Sequence, residues 1–529
     1  MAFIALILLV LCHLLSGYGL LTLFTIRQKT AITLALALIL GVAVASLVPF
    51  VLQLCFIPLT PATVFGSLVL AGLLLNIRTL LRIGKTAGSF DRSFRERWGR
   101  FVRECGRRVR AFHLLPYEIP FVLILGFLLF VSVWRCYYLP PTSRDALSGP
   151  EAIAEYAVRE HTMINSFFNV DLWTTNNQFK SPFLISLQII YKMAGFPFGQ
   201  IWLSLIFISF TVLLYQVLKE KLHPIIAGLL LLLFTMEPEL YAYSFMILYD
   251  YSNMVFLFLS LYFLFDYCKS KTSATLYFAG LLMGIATYIR SETLALALFF
   301  IPVLILSQWR EKYSYRQMVL SVVLFLLPAV IAYYLTVSLY IGHYLPVHYA
   351  IGNLVNQHLS DLQPLFKRYG DIGTRLLTGE LALHLWGYFM FIWAALFLLE
   401  GVLLRRYNRD ARNWLYAIGA IFVGLGLLGY LLPLFDLTDT TKRGLFKVLP
   451  LMLLYMANNG VLHRLSAWIG QWENAVPVLQ TSPGKAPLRS TYGKLSKTTG
   501  NKQPDKRAGK TPPPPPDKKS PAPGRKKRK

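Results

Sequence analysis

Apolar residues along this chain come in runs long enough to cross a bilayer, separated by polar joints. Runs at 119–134, 201–218, 294–309, 319–339 and 414–434 stand out, and 256–265 joins them once its flanks are counted. About twenty helical residues cover the hydrocarbon core, and unpaired backbone groups are too costly there, so each run predicts a helix. The first run, residues 1–24, has no basic segment ahead of it and no small-residue cleavage pattern, which predicts a retained span rather than a removed leader. Counting every run gives about thirteen spans and an all-α polytopic membrane protein. One joint differs in kind. Residues 137–182, YYLPPTSRDALSGPEAIAEYAVREHTMINSFFNVDLWTTNNQFKSP, are polar and acidic, and long enough to hold helices of their own.

Charge orients these spans. Residues 78–110 hold eleven Lys/Arg against three acids, and the tail from Lys485 holds fifteen against two, which accounts for most of the net +26. Placing the first of these segments in the cytoplasm and alternating outward puts Lys219-Glu220-Lys221, Lys269-Ser270-Lys271, Arg310-Glu311-Lys312 and Arg405-Arg406 inside, as the positive-inside rule demands. The same alternation puts 137–182, 237–241, 290–292, about 341–384 and 436–447 outside. Basic runs also suit nucleic acid. In a chain that is 55% hydrophobic and only 15% charged, topology and anionic headgroups account for them instead, and no nucleic-acid partner is expected. The tail after Val476 turns Ser/Thr/Lys-rich and ends TPPPPPDKKSPAPGRKKRK, a composition that predicts a disordered cytoplasmic arm. Five cysteines without paired spacing predict neither a disulfide framework nor a zinc site.

Ionisable residues at span ends are expensive and are functional candidates. On the expected outer side they include Arg144, Asp145, Glu151, Glu155, Lys180, Asp250, Arg290, Glu292, Asp436, Asp439, Lys442 and Arg443. A carboxylate can take a proton from a hydroxyl as general base, and cations can hold a phosphate as it leaves. Each has a plainer reading. Asp145 suits a loop or cap, and Glu151, beside Pro150, suits the first turn of the helix-like EAIAEYAVREHTM. Arg290 suits an interfacial anchor or a local pair with Glu292, and Asp250 suits a helix dipole. Lys442-Arg443 run against the positive-inside trend, which favours function. His343, His348 and His358 show no metal-ligand spacing. Tyr251 and the aromatics near it suit an interfacial belt.

Four stretches together resemble the membrane-embedded GT-C glycosyltransferases of the protein O-mannosyltransferase and aminoarabinose-transferase type. They are the outer loop with early Asp145 leading to Lys180-Ser181-Pro182-Phe183; YDYSNMVFLFLSLYFL; AGLLMGIATYIRSETLAL, with Arg290 and Glu292 in register with the family's "GllaGlaalTRpEgl"; and TTKRGLFKVLPLMLLYMA. The resemblance spans roughly 119–456. Two departures stand out. Asp145 is followed by Ala146 where the family has an Asp-Glu doublet, leaving the base open between Asp145 and Glu151, and Ser252-Asn253 replace a small/Pro pair.

The resemblance implies a GT-C-like core at 114–460 with outer-face loops and amphipathic interfacial helices. N-terminal spans and a basic loop (1–113) precede it and the tail (461–529) follows. It implies an inverting transfer of a sugar from a polyprenyl-phosphate donor to an acceptor glycan, lipid or protein. Asp145 or Glu151 would be the base, Arg290, Lys442 and Arg443 the phosphate ligands, and Lys180, Asp250, Tyr251 and Glu292 the substrate contacts. No cofactor beyond the donor is called for, and nothing in the sequence supports a divalent metal. A bacterial inner membrane is the expected location. A lipid-linked glycan polymerase or ligase, a flippase or transporter, and a scaffold acting through the tail are the competing readings. Charges gathered on one face, and the lack of an internal repeat, favour an interfacial enzyme.

Overall fold

The structure is a computed structural model. It describes residues 2–79, 81, 116–169, 180–345, 361–378, 380–405, 407–432 and 437–475. Most of the basic run after Arg78, together with His348, His358, Asp436 and the tail from Val476, lies outside these; residues 461–475, expected as the start of the disordered tail, instead belong to the helix Gly460–Ala475. Every regular element among the described residues is helical.

Seven helices are long and apolar enough to cross a membrane: Phe3–Leu23, Thr30–Leu54, Pro116–Tyr138, Ile201–Lys219, Tyr249–Ser270, Tyr315–Tyr344 and Arg409–Leu431. An eighth crossing is formed if Lys442–Ala457 and Gly460–Glu473, bent by 52° at their junction, act as one. The thirteen crossings expected from sequence also require five shorter apolar helices, among them Pro224–Thr235 and Ser273–Ile289.

Close backbone approach, rather than hydrophobic burial, must hold helices together in lipid, and glycines supply it here. A Cβ at Gly41 would sit 1.8 Å from the His13 carbonyl oxygen, so Ala2–Leu23 and Thr30–Leu54 touch backbone to backbone. A Cβ at Gly280 would sit 2.8 Å from the Leu324 carbonyl oxygen, and one at Gly284 2.8 Å from the Pro328 Cβ. That spacing of four seats Ser273–Ile289 against Tyr315–Tyr333. Aromatic rings fill the centre, where Phe183 meets Trp202, Phe256 and Tyr288 edge-on.

Joints expected on the same side of the membrane meet one another. At one end Lys29 pairs with Glu220 at 2.8 Å, Lys269 with Asp410 at 2.6 Å, and Lys221 donates to Asn458 at 2.8 Å. At the other end Gln53 Oε1 accepts from the Thr162 hydroxyl at 2.9 Å and from the Met163 amide at 2.6 Å. The Leu59 amide donates to the His161 carbonyl at 2.8 Å. The N-terminal helices thereby hold the end of the Pro150–Glu160 helix. Tyr288, two residues before Arg290, donates to the Ser46 carbonyl at 3.1 Å.

Glu237 caps Pro238–Tyr243, accepting from the Leu240 amide at 2.7 Å. Its other oxygen is buried without a hydrogen-bond partner. Burial, with neighbouring Glu239 adding to it, pushes its carboxyl up to about 8. A carboxyl that binds its proton more tightly when folded makes stability fall as pH rises from its unfolded pKa, about 4.3, towards that value. Glu237→Gln keeps the cap and removes the titration. The melting temperature of the variant relative to wild type is therefore expected to climb between pH 5 and pH 8 and then level. A pH-independent difference would contradict this.

Candidate functional site

Six separated stretches of chain converge on one cavity of about 370 Å³ at the end of the molecule that carries the 137–169 segment. Asp145, Lys180, Asp250, Arg290, Glu292 and Arg443 line it, with Ser181, Tyr249, Thr336, Ile341 and Thr440 among the other wall residues.

Local sequence explains each placement. Asp145 sits in a single turn, Arg144–Leu147, whose N-cap Ser143 accepts from the Ala146 amide at 3.2 Å. Lys180 precedes Ser181 and Pro182, the N-cap and first residue of Pro182–Met193. Proline at this point costs no hydrogen bond and fixes where the helix starts. Asp250 lies in the first turn of Tyr249–Ser270. Arg290 is extended (φ −141°, ψ 116°) at the break between Ser273–Ile289 and Thr293–Leu298. Arg443 lies in the Lys442–Leu445 turn.

Arg290 organises the cavity floor. Its Nη1 donates to Asp250 and its Nε faces Glu292. Asp250 is 2% exposed, and a carboxylate that deep persists only when paired. One turn further along the same helix face, Asn253 donates to the Ala286 carbonyl at 2.7 Å and to the Thr293 hydroxyl at 2.9 Å. Residues three apart share a face, so Asp250 grips the Arg290 side chain while Asn253 ties down both flanking helices. The departure at Ser252-Asn253 is thus filled by a hydrogen-bonding clamp. Arg443 Nη1 meets Asp145 Oδ2 at 2.5 Å. Lys180 lies 5.9 Å from the Tyr249 ring centroid, and Tyr249 donates to the Ser181 carbonyl at 2.8 Å. Burial pushes the Lys180 ammonium down, opposed by Asp145 and Asp250 and reinforced by Arg290 and Arg443.

Three nominated residues lie elsewhere. Glu151 belongs to a polar clasp between two helices: Lys192 reaches it at 2.7 Å and Gln188 donates to it at 2.6 Å. Gln188 also donates to the Phe198 carbonyl and accepts from Trp202. Burial raises the Glu151 carboxyl despite Lys192, whereas the Lys192 hydrogen bond lowers that of Glu155. Lys442 turns away from Arg443 and pairs with Glu239 at 3.2 Å. Tyr251 is 1% exposed and packs edge-on against Phe207. Both neighbours of a lining residue are carried off by helix geometry, since adjacent residues point about 100° apart.

Sequence reasoning missed Lys447. It is 1% exposed, and its Nζ stands 3.8 Å from Glu292 Oε1. A lysine two residues into an apolar run was the available signal. Thr336 and Ile341 were also missed. They come from the π-helical turns Tyr334–Tyr344 that extend the Tyr315–Tyr333 helix. Among the described residues no group of three or more His, Cys, Asp or Glu could hold a metal ion.

Lys192→Met leaves Glu151 buried with Gln188 alone. Removing one partner of a buried pair costs about 3 kcal/mol, so a clear drop in thermal midpoint is expected, with Lys192→Arg restoring most of it. An unchanged midpoint in Lys192→Met would contradict the clasp.

Residues 182–334 match the family model for dolichyl-phosphate-mannose-protein mannosyltransferase, a domain of the GT-C type. The expected resemblance is borne out over that segment, which is less than a third of the chain. It contains Asp250, Arg290 and Glu292, whereas Asp145, Lys180 and Arg443 lie outside it. No curated protein and no solved structure matches the chain. The family match together with the apolar helices supports an integral membrane glycosyltransferase of the GT-C type.

Proposed function

We propose that this protein transfers a sugar from a polyprenyl-phosphate donor to an acceptor hydroxyl, with inversion at the anomeric carbon. The observation that carries this reading is the cavity, in which three carboxylates and three cations from separated segments face one space at the edge of a family-matched core. Asp145 is the general base. It takes the proton as the acceptor oxygen bonds to the anomeric carbon, while the bond from that carbon to the phosphate oxygen breaks. The electron pair leaves with the polyprenyl phosphate, held by Arg290, Arg443 and Lys180. Guanidinium groups suit this task because their planar donors match phosphate oxygens and stabilise charge as it develops. Between the two acids that the sequence left open, Asp145 is preferred because it lines the cavity while Glu151 is held by Lys192 and Gln188.

The joints opposite the cavity carry Lys219, Lys221, Lys269 and Lys271. By the positive-inside rule they are cytoplasmic, and transfer takes place at the outer face. The lipid carrier would approach along Thr336, Val337 and Ile341, which give the cavity its wall on the exposed Tyr315–Tyr344 helix.

Transfer of radiolabelled sugar from polyprenyl-phosphate donors, measured in membranes with matched expression, tests the assignment. Loss of a positioned general base costs at least about 100-fold, which is the fall expected in Asp145→Asn. Arg290→Ala is expected to lose transfer too, and Glu151→Gln to keep it. Wild-type rates in Asp145→Asn would remove Asp145 as the base.

A further inference from the structure

Two carboxylates at the cavity floor share one guanidinium. Asp250 and Glu292 both face Arg290, while Arg443 meets Asp145. Lys447 makes up the difference. It stands 3.8 Å from Glu292 Oε1, the oxygen that also faces Arg290 Nε. It does not line the cavity, although Glu292 and Arg290 do. It reaches this place from the Phe446–Val448 turn, which joins the Arg443 segment to the Leu449–Ala457 helix.

We propose that Lys447 is a positioning residue for the anion that Arg290 receives: by sharing Glu292, it prevents Arg290 from being saturated by two carboxylates and keeps the guanidinium available to a phosphate in the cavity. The inference rests on the donor reading above. A guanidinium has five N–H donors in a fixed fork. With Lys447 in place, Glu292 divides between two cations. Without it, Glu292 and Asp250 both draw on Arg290, and the surroundings of a phosphate in the cavity become more negative by one charge. At short range and away from bulk water such a charge is weakly screened. The effect of Lys447 is therefore transmitted through Glu292, and removing the Glu292 charge should cancel the loss of Lys447.

Binding of farnesyl phosphate to the purified full chain in detergent, with farnesol as the uncharged control, tests this without knowledge of the sugar. In Lys447→Met the dissociation constant for farnesyl phosphate is expected to rise about tenfold, the scale of one weakly screened charge contact, with farnesol binding unchanged. Lys447→Arg, which keeps the charge, and Lys447→Met/Glu292→Gln, which removes both, are expected to bind like wild type. The double variant buries no surplus charge, so it remains informative if Lys447→Met does not fold. Wild-type affinity in monodisperse Lys447→Met, or a double variant about tenfold weaker than wild type, would overturn the proposal. A wild-type protein that does not prefer farnesyl phosphate to farnesol would overturn the donor reading itself, and this inference with it.

Discussion

A guanidinium cannot be buried at the edge of a bilayer without carboxylates to meet it. Arg290 satisfies that requirement with Asp250 and Glu292, and much of the surrounding architecture follows. Asp250 is within reach because Tyr249–Ser270 begins at that depth. Glu292 is within reach because the chain is extended at Arg290 and resumes as helix at Thr293. Asn253 fixes the distance between those segments through its two hydrogen bonds. The charges at these helix ends are tolerated at that depth because each carboxylate meets a cation.

Other parts of the molecule serve that arrangement from a distance. The N-terminal helices press on Tyr288 and hold the Thr162–Met163 turn through Gln53. Glu151, Gln188 and Lys192 bind the Pro150–Glu160 helix to the Pro182–Met193 helix and so set the platform beside Asp145. At the opposite end, ion pairs such as Lys269–Asp410 fasten joints far apart in sequence.

Much of this was legible in the chain itself, for physical reasons that can be named. Apolar runs read as helices because a bilayer leaves the backbone no alternative. Arg290, Glu292 and Asp250 stood out because charge at a span end is costly and so rarely incidental. What the sequence could not resolve was rotation about a helix axis. Lys442 and Tyr251 each adjoin a residue that lines the cavity, and each faces elsewhere. Glu151 and Asp145 were indistinguishable until the partners of Glu151, Lys192 and Gln188, came into view from a helix some forty residues on. Lys447 was read as the end of a polar joint, although it is buried against Glu292. Short helices such as Pro224–Thr235, with 12 residues, fall below the length at which composition alone decides whether a segment crosses.

The central claim is that the cavity around Arg290 receives the phosphate of a lipid-linked sugar. A cryo-EM structure of the full chain in nanodiscs with a polyprenyl phosphate tests it most directly. The account predicts phosphate density within hydrogen-bonding reach of Arg290 and Arg443, with the lipid chain leaving past Thr336 and Ile341. Phosphate bound instead at the opposite end, beside Lys221 and Lys269, with the Arg290 cavity empty, would contradict it.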